Sequence, residues 1–284
     1  MTEIASPEHA PAMGPPQSRL YRRLVDEVAT AQLPAGPDDG EAVTEADIEA
    51  LPEVVRRYLG FMGVVGRPRD WSFRAQFVGR FRLRPRLGWM PATAWQYNSS
   101  LEVARVFVMR LRLAGVVPMI GRDTYLRGHG RMIGKLLDRV TVVDGKGDEF
   151  DIGELTTYLN DAVLLAPSML LGPTTQWLGV DDDTFDVILS DAGRTVTGRV
   201  LLDDRGAPRD FSTNDRFAAL PSGLVRAEWR TPVPSWEIVD GRPLPGPFSA
   251  VWLLPAGPFP YIEGRLVLGS VAFNVAPPLR AESS

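Results

Sequence analysis

Apolar and polar residues alternate most regularly over residues 71–84. Phe73, Phe77 and Phe81 lie on one side of this stretch, and arginines occupy several of the intervening positions. A strand with one apolar and one polar face is typical of an antiparallel sheet that is solvent-exposed on one side. The pattern therefore predicts an antiparallel strand whose phenylalanines face the core.

Shorter stretches of similar character follow, and most are bounded by turns that contain proline or glycine. They predict strands at residues 93–99, 105–113, 123–128, 136–143, 185–190, 195–202, 210–217, 224–231, 248–254 and 261–275. The residues DAGR between 185–190 and 195–202 are typical of a tight hairpin turn. We therefore expect about ten strands in one meandering antiparallel sheet.

Two short helices are predicted near the N-terminus. Residues 17–31 place Leu20, Leu24 and Val28 on one helical face. Residues 44–61 carry a second apolar stripe that Pro52 interrupts. Because proline costs no hydrogen bond in the first turn of a helix, we expect the firmer part of this helix to begin at Pro52.

The longest predicted helix covers residues 151–168 and contains a dense set of polar residues. Asp151 and Glu154 have the spacing of a capping box, which predicts the start of the helix at Asp151. An apolar stripe follows, and Pro167 predicts the end of the helix. The stripe consists of Leu155, Tyr158, Leu159, Ala162, Leu165 and Ala166.

The opposite face of this helix carries Glu154, Thr157 and Asp161. Asn160 lies in mid-helix, where an amide gains little locally, so we expect it to bond a neighbouring strand or a ligand.

These elements predict a mainly β fold of the α+β class. We expect a curved antiparallel sheet or half-barrel, with the N-terminal helices and the internal helix packed on it, similar by analogy to bacterial lipoprotein carriers. We divide the chain into an N-terminal tail, short helix and linker (residues 1–43), one β-rich domain (residues 44–277) and a C-terminal tail (residues 278–284).

Composition narrows the chemistry. The 284 residues include two histidines and no cysteine, which excludes disulfides, thiolate nucleophiles and cysteine-rich zinc sites. We predict no metal site and no cofactor. The N-terminus lacks a basic segment followed by an apolar one, and the nearly apolar run 162–173 is too short to span a bilayer. We therefore expect a cytoplasmic protein without a transmembrane segment.

Charge is distributed unevenly, although the net charge is only −4. Residues 144–191 carry eleven acids and one lysine, whereas residues 67–112 are rich in arginine. This basic segment indicates either a solvated sheet face or a patch for peripheral contact with an anionic surface. We expect no nucleic-acid partner. The arginines of the basic segment 67–112 are Arg67, Arg69, Arg74, Arg80, Arg82, Arg84, Arg86, Arg105, Arg110 and Arg112.

Three carboxylates are candidates for acid–base chemistry. Glu154 and Asp161 lie about 10 Å apart along the same helix face. With Asp215 they could serve a carboxylate-dependent hydrolase or isomerase, which requires at least one strongly raised pKa. The alternative is that these acids form structural ion pairs, and Arg216 is a candidate to reach back to the helix.

A set of sequence blocks resembles a bacterial family known as a domain of unknown function. The blocks are ELTTYLND at 154–161, NDRF at 214–217 and WRTP at 229–232, and the similarity extends over about residues 51–277. The resemblance implies no particular reaction, substrate or cofactor. It implies that signature positions are occupied by Glu154, Thr157, Tyr158, Asn160, Asp161, Asp215, Arg216, Trp229, Thr231, Pro232 and Trp252.

We interpret the chain as a binding module for an apolar or amphipathic, lipid-like small molecule held between the sheet and the internal helix. A curved sheet crossed by one helix leaves space that side chains do not fill unless it closes. The alternative to a binding site is a filled core in a structural or partner-binding protein. The expected ligand-binding residues are Phe77, Tyr158, Asn160, Arg216, Trp229, Thr231 and Trp252.

Overall fold

The computed structural model describes residues 18–37, 40–113, 115–220, 223–277 and 279. Three α-helices are present in these ranges: α1 (Arg19–Ala31), α2 (Glu53–Phe61) and α3 (Asp148–Leu165). Short 3-10 helices cover Glu45–Asp47, Pro167–Leu170 and Leu268–Ser270.

The same ranges contain eighteen strands. Those before α3 are β1 (Ser72–Phe81), β2 (Met90–Ser99), β3 (Ala104–Leu113), β4 (Val117–Leu126), β5 (His129–Leu136) and β6 (Val140–Lys146). Those after it are β7 (Thr175–Gly179), β8 (Thr184–Asp191), β9 (Arg194–Leu202), β10 (Pro208–Thr213), β11 (Phe217–Leu220), β12 (Gly223–Arg226), β13 (Glu228–Arg230), β14 (Trp236–Val239), β15 (Arg242–Pro245), β16 (Phe248–Leu254), β17 (Gly257–Leu266) and β18 (Ala272–Phe273).

Fourteen strands form one antiparallel sheet in the order β6-β5-β4-β3-β2-β1-β17-β16-β13-β10-β9-β8-β7, with β18 beside β1. The first six strands form a meander, and β1 pairs with β17 from the far end of the chain. The hairpins β11–β12 and β14–β15 are separate. β6 and β7 end the sheet without pairing with each other, so the sheet is open.

The prediction of about ten strands was too low. The expected strand 210–217 divides into β10 and β11, and 224–231 divides into β12 and β13. The expected strand 136–143 spans the turn between β5 and β6, where Leu137 and Asp138 both have positive φ. The DAGR hairpin is confirmed, since Ala192 (φ 46°) and Gly193 (φ 76°) have the left-handed geometry of a tight hairpin turn.

α3 lies in the middle of the curved sheet and contacts strands of both halves, including β4 and β5 on one side and β9 and β10 on the other. We call the side of the sheet that faces α3 its inner face. The predicted apolar stripe is confirmed, because Leu155, Leu159 and Ala162 are fully buried. The curved, open antiparallel sheet with an internal helix confirms the predicted α+β fold class.

The predicted start of α3 was wrong by about one turn. The helix begins at Asp148 after Gly147, and Asp148, Glu149 and Asp151 place negative charge in its first turn. Asp151 is not the cap, because its carboxylate accepts a hydrogen bond from the backbone N–H of Gly130 in β5 (2.7 Å). α3 ends at Leu165, and Pro167 follows as predicted.

The N-terminal helices do not share one face of the sheet. α1 packs Leu20 and Leu24 on the outer face against Trp95 and Val106. The polar side of this part of the sheet is therefore covered and not fully solvated, contrary to expectation. α2 begins directly after Pro52, as predicted, and its Tyr58 belongs to the inner core.

No helix in the described part of the chain combines the length and the apolar character needed to cross a membrane.

Candidate functional site

A cavity of about 270 Å³ lies between α3 and the inner face of the sheet. Residues of β1 to β5, β16 and β17 form most of its walls, and those of β2, β3, β4 and β16 are alternate residues of their strands. Several inward positions carry small residues, including Ala92, Ala94 and Gly121. A Cβ on Gly121 would meet only ordinary contacts, at 3.6 Å from Met109, so this position leaves open volume. The cavity exists because these small side chains of the sheet leave a space that α3 does not fill.

Most of the lining is apolar. Aromatic, aliphatic and methionine side chains all contribute to it, and methionine adapts its shape to irregular partners. The larger apolar lining residues include Phe77, Phe81, Phe107, Met109, Met119, Met132, Leu164, Trp229, Phe248 and Tyr261. A cavity with this lining suits an alkyl chain or another apolar group.

One end of the cavity contains a buried ion-pair cluster. Arg105 of β3 donates to Glu154 (2.9 Å) and to Asp161 (2.8 Å) of α3. Gln96 of β2 also donates to Asp161 (2.6 Å). Arg105 and Glu154 are only 5% and 2% exposed. Burial raises the pKa of Glu154, and the guanidinium of Arg105 opposes that rise.

Asn160 and Thr231 extend this polar end. The hydroxyl of Thr231, which directly follows β13, donates to Oδ1 of Asn160 (2.5 Å). Asn160, which we expected to bond a neighbouring strand or a ligand, therefore bonds the residue that directly follows strand β13. Thr157 also lines the cavity, although its hydroxyl donates to the carbonyl of Gly153 within α3 (2.8 Å).

Asp123 of β4 is a cavity residue that the sequence patterns did not single out. Its carboxyl makes no side-chain hydrogen bond or ion pair with any residue that the structure describes. Burial, followed by the negative charge of Glu154, raises the pKa of Asp123 from 3.8 to about 7, while Arg105 and Arg216 oppose this rise. The sequence did contain a signal for Asp123, because this acid lies at an inward-facing position of an alternating strand.

Arg216 lies between β10 and β11 and faces the same end of the cavity. Its guanidinium carbon is 4.3 Å from the ring centroid of Trp229 and 5.5 Å from that of Trp252. Nε is buried without a hydrogen-bond partner, and the side chain forms no ion pair within the described ranges. The prediction that Arg216 bridges to an acid of α3 was wrong, because Arg105 holds those acids.

Three predicted site residues lie outside the cavity lining. Tyr158 is 1% exposed and belongs to the core around α3. Trp252 lies behind Arg216 in the same core. Asp215 accepts a hydrogen bond from the backbone of Thr197 (2.9 Å) and pairs with Arg226 (2.5 Å). The carboxylates Glu154, Asp161 and Asp215 therefore do not converge on one catalytic centre.

The arginines of residues 67–112 are not gathered in one place. Arg105 is buried in the cavity cluster, Arg80 pairs with Glu263, and Arg74 donates to the hydroxyl of Tyr21 in α1 (2.8 Å). Contact with an anionic surface through this segment stays a prediction.

Fold and cavity together define the class of protein. It is an α+β protein in which an open antiparallel sheet curves around one helix, with an amphipathic cavity between the sheet and the helix. The chain belongs to the Family of unknown function (DUF6544), whose model matches residues 41–264. This membership confirms the resemblance to a family of unknown function.

A search of curated proteins gave no significant match. Among solved structures, the crystal structure of a LolA superfamily protein from Nitrosomonas europaea is similar to this chain at 12% sequence identity. The alignment covers 81% of this chain and 92% of that chain, with a TM-score of 0.37.

Proposed function

We propose that this protein binds an apolar or amphipathic small molecule in the cavity between α3 and the sheet. The observation that carries the proposal is a cavity of about 270 Å³ whose walls are mostly apolar and whose polar groups converge at one end. Ligand sites in proteins have this arrangement, and their volumes begin at about 300 Å³. The volume favours a single chain or a small ring system.

The polar end supports an amphipathic ligand in preference to a purely apolar one. Arg105, Glu154 and Asp161 hold one another in fixed positions, and Thr231 fixes Asn160. Such a network gives the cavity a defined polar wall that needs no rearrangement when a ligand enters. An alkyl chain would then lie along the phenylalanines and methionines.

Native mass spectrometry of the protein purified from its own host tests the proposal. We expect an additional mass on the folded protein that disappears on denaturation. Replacing Ala94 with Phe should fill the cavity and abolish the bound mass, because Ala94 lines it. Ala219→Phe is the matched control, since Ala219 is exposed in β11 and does not line the cavity.

A bound mass that survives Ala94→Phe unchanged would place the ligand elsewhere. Native spectra free of any bound molecule, together with failure of the purified protein to bind added decan-1-ol, would contradict the proposed function.

A further inference from the structure

Two charged side chains face the cavity without a hydrogen bond to any residue the structure describes. They are Arg216 and Asp123, and both line the same end as the Arg105 cluster. A guanidinium carries five N–H donors, and leaving them unsatisfied in a buried place is costly. The buried Nε of Arg216 is such a donor.

Arg105 cannot serve an incoming ligand in the same way. Its Nε and Nη1 donors already bond Asp161 and Glu154, so two carboxylates share its charge. Arg216 instead lies over the rings of Trp229 and Trp252, which hold the guanidinium without using its donors. These aromatic contacts hold the planar, fork-shaped guanidinium in place and leave its N–H donors free to bond a planar anion.

We propose that the bound molecule is an amphiphile whose polar end is a carboxylate, and that Arg216 is the residue that binds this carboxylate. This inference rests on the proposed function, because it names the chemistry of the ligand of that cavity. An ionised acceptor bonds a guanidinium about twice as strongly as a neutral one, and a carboxylate matches the fork with two parallel bonds.

When Asp123 is protonated, Arg105 and Arg216 balance Glu154 and Asp161, so the site is neutral before the ligand enters. The ligand carboxylate then leaves one net negative charge. Ionised Asp123 would add a second negative charge beside the ligand carboxylate. Binding therefore favours the protonated form of Asp123, whose pKa is already raised to about 7.

Isothermal titration calorimetry with three ligands of equal chain length separates this inference from the proposed function. The ligands are decanoate, decan-1-ol and decylammonium, titrated at about pH 6, where Asp123 is mostly protonated. We expect decanoate to bind most tightly and decylammonium most weakly. Arg216→Gln should weaken decanoate binding about 10- to 100-fold, and should change decan-1-ol binding by less than about twofold.

Two further variants complete the design. Arg216→Lys keeps the charge but loses the planar fork, and we expect an intermediate loss of decanoate affinity. Arg199→Gln is the matched control, because Arg199 is exposed, pairs with Asp186 and lies outside the cavity lining. Retained binding of decan-1-ol shows that each variant is folded.

The outcomes are distinguishable. If Arg216→Gln leaves decanoate affinity unchanged, or if decylammonium binds most tightly, the assignment of the carboxylate to Arg216 is wrong while the binding function stands. If none of the three ligands binds the wild-type protein, the proposed function fails and this inference fails with it.

Discussion

Arg105 is the residue on which the polar end of the cavity depends. It is 5% exposed and compensates the charges of Glu154 and Asp161, which face the cavity from α3. Taking one partner from a buried ion pair leaves an uncompensated charge, which destabilises far more than losing an exposed pair. The cluster therefore links β3 to α3 and orients the carboxylates at the same time.

Arg105→Met should lower the free energy of unfolding by about 3–5 kcal/mol, since it leaves two buried carboxylates without their cation. Arg80→Met is the matched control. Arg80 forms an exposed pair with Glu263, and its loss should cost less than about 1 kcal/mol. Urea unfolding followed by circular dichroism measures both variants. Equal losses would contradict a buried, energetically coupled cluster.

Asp123 makes the free energy of unfolding depend on pH, and the direction follows from its raised pKa. Its pKa is about 7 in the folded protein and 3.8 ordinarily, so between these values the folded state binds more protons than the unfolded state. Stability must then fall as pH rises through this window. A pKa difference of this size changes the free energy of unfolding by at most about 4 kcal/mol.

Asp123→Asn should remove most of this dependence and make the protein more stable than wild type at about pH 8. Urea unfolding at about pH 5 and about pH 8 measures the effect. Asp144→Asn serves as control, because Asp144 is an exposed residue paired with Arg131. An Asp123 variant with the same pH dependence as wild type would show that this carboxyl is ionised in the folded protein.

The sequence predicted part of the site at residue level. Glu154 and Asp161 stood out because helix periodicity places them on one face of a single element, and Asn160 stood out because an amide gains little in mid-helix. Arg105 and Asp123 did not stand out as site residues, because their neighbours in the cavity come from distant parts of the chain. Inward polar residues on alternating strands are the signal that would have found both.

At the scale of elements, the N-terminal end of α3 lies unusually close to β5. A Cβ on Gly130 would lie 2.1 Å from the carbonyl oxygen of Phe150, and the amide of Gly130 bonds Asp151. Only a glycine permits the helix to approach the strand this closely. This contact positions the cavity-facing side of α3.

Gly130→Ala should destabilise the protein by about 1–3 kcal/mol, since the backbone of α3 must move to admit a methyl group. Gly153→Ala is the control in the same helix. A Cβ at Gly153 meets no atom within 4 Å, so this change should stabilise by about 0.5–1 kcal/mol through helix propensity. Thermal unfolding compares the two. A Gly130→Ala variant as stable as wild type would contradict the claim that α3 and β5 lie too close together for a side chain at this position.

Local sequence patterns predicted the presence and type of the helices and strands more accurately than their boundaries and pairing partners. Pro52 and Pro167 marked helix ends correctly, since proline acts through its own backbone. The start of α3 was missed because Asp148 and Glu149 extend the helix beyond the apparent capping box. The pairing of β1 with β17 joins distant parts of the chain, and hydrophobic alternation carries no information about such partners.

For the whole molecule, the open sheet explains why a cavity persists. The sheet curves around α3 but does not close, and small inward residues leave a space that α3 does not fill. The half-barrel with an internal helix was predictable from strand alternation and the one long helix. The placement of α1 on the outer face was not, because an amphipathic stripe does not identify the surface that it covers.

The central claim is that this cavity holds an amphiphile with its carboxylate on Arg216. A crystal structure of the protein with decanoate brominated at its far end tests it most directly, because anomalous scattering locates the bromine independently of any other density. We predict a bromine peak among Phe81, Met109 and Met119, which line the cavity away from the Arg105 cluster, and a carboxylate beside Arg216. A bromine peak outside the cavity, or a cavity without ligand density at saturating decanoate, would contradict the claim.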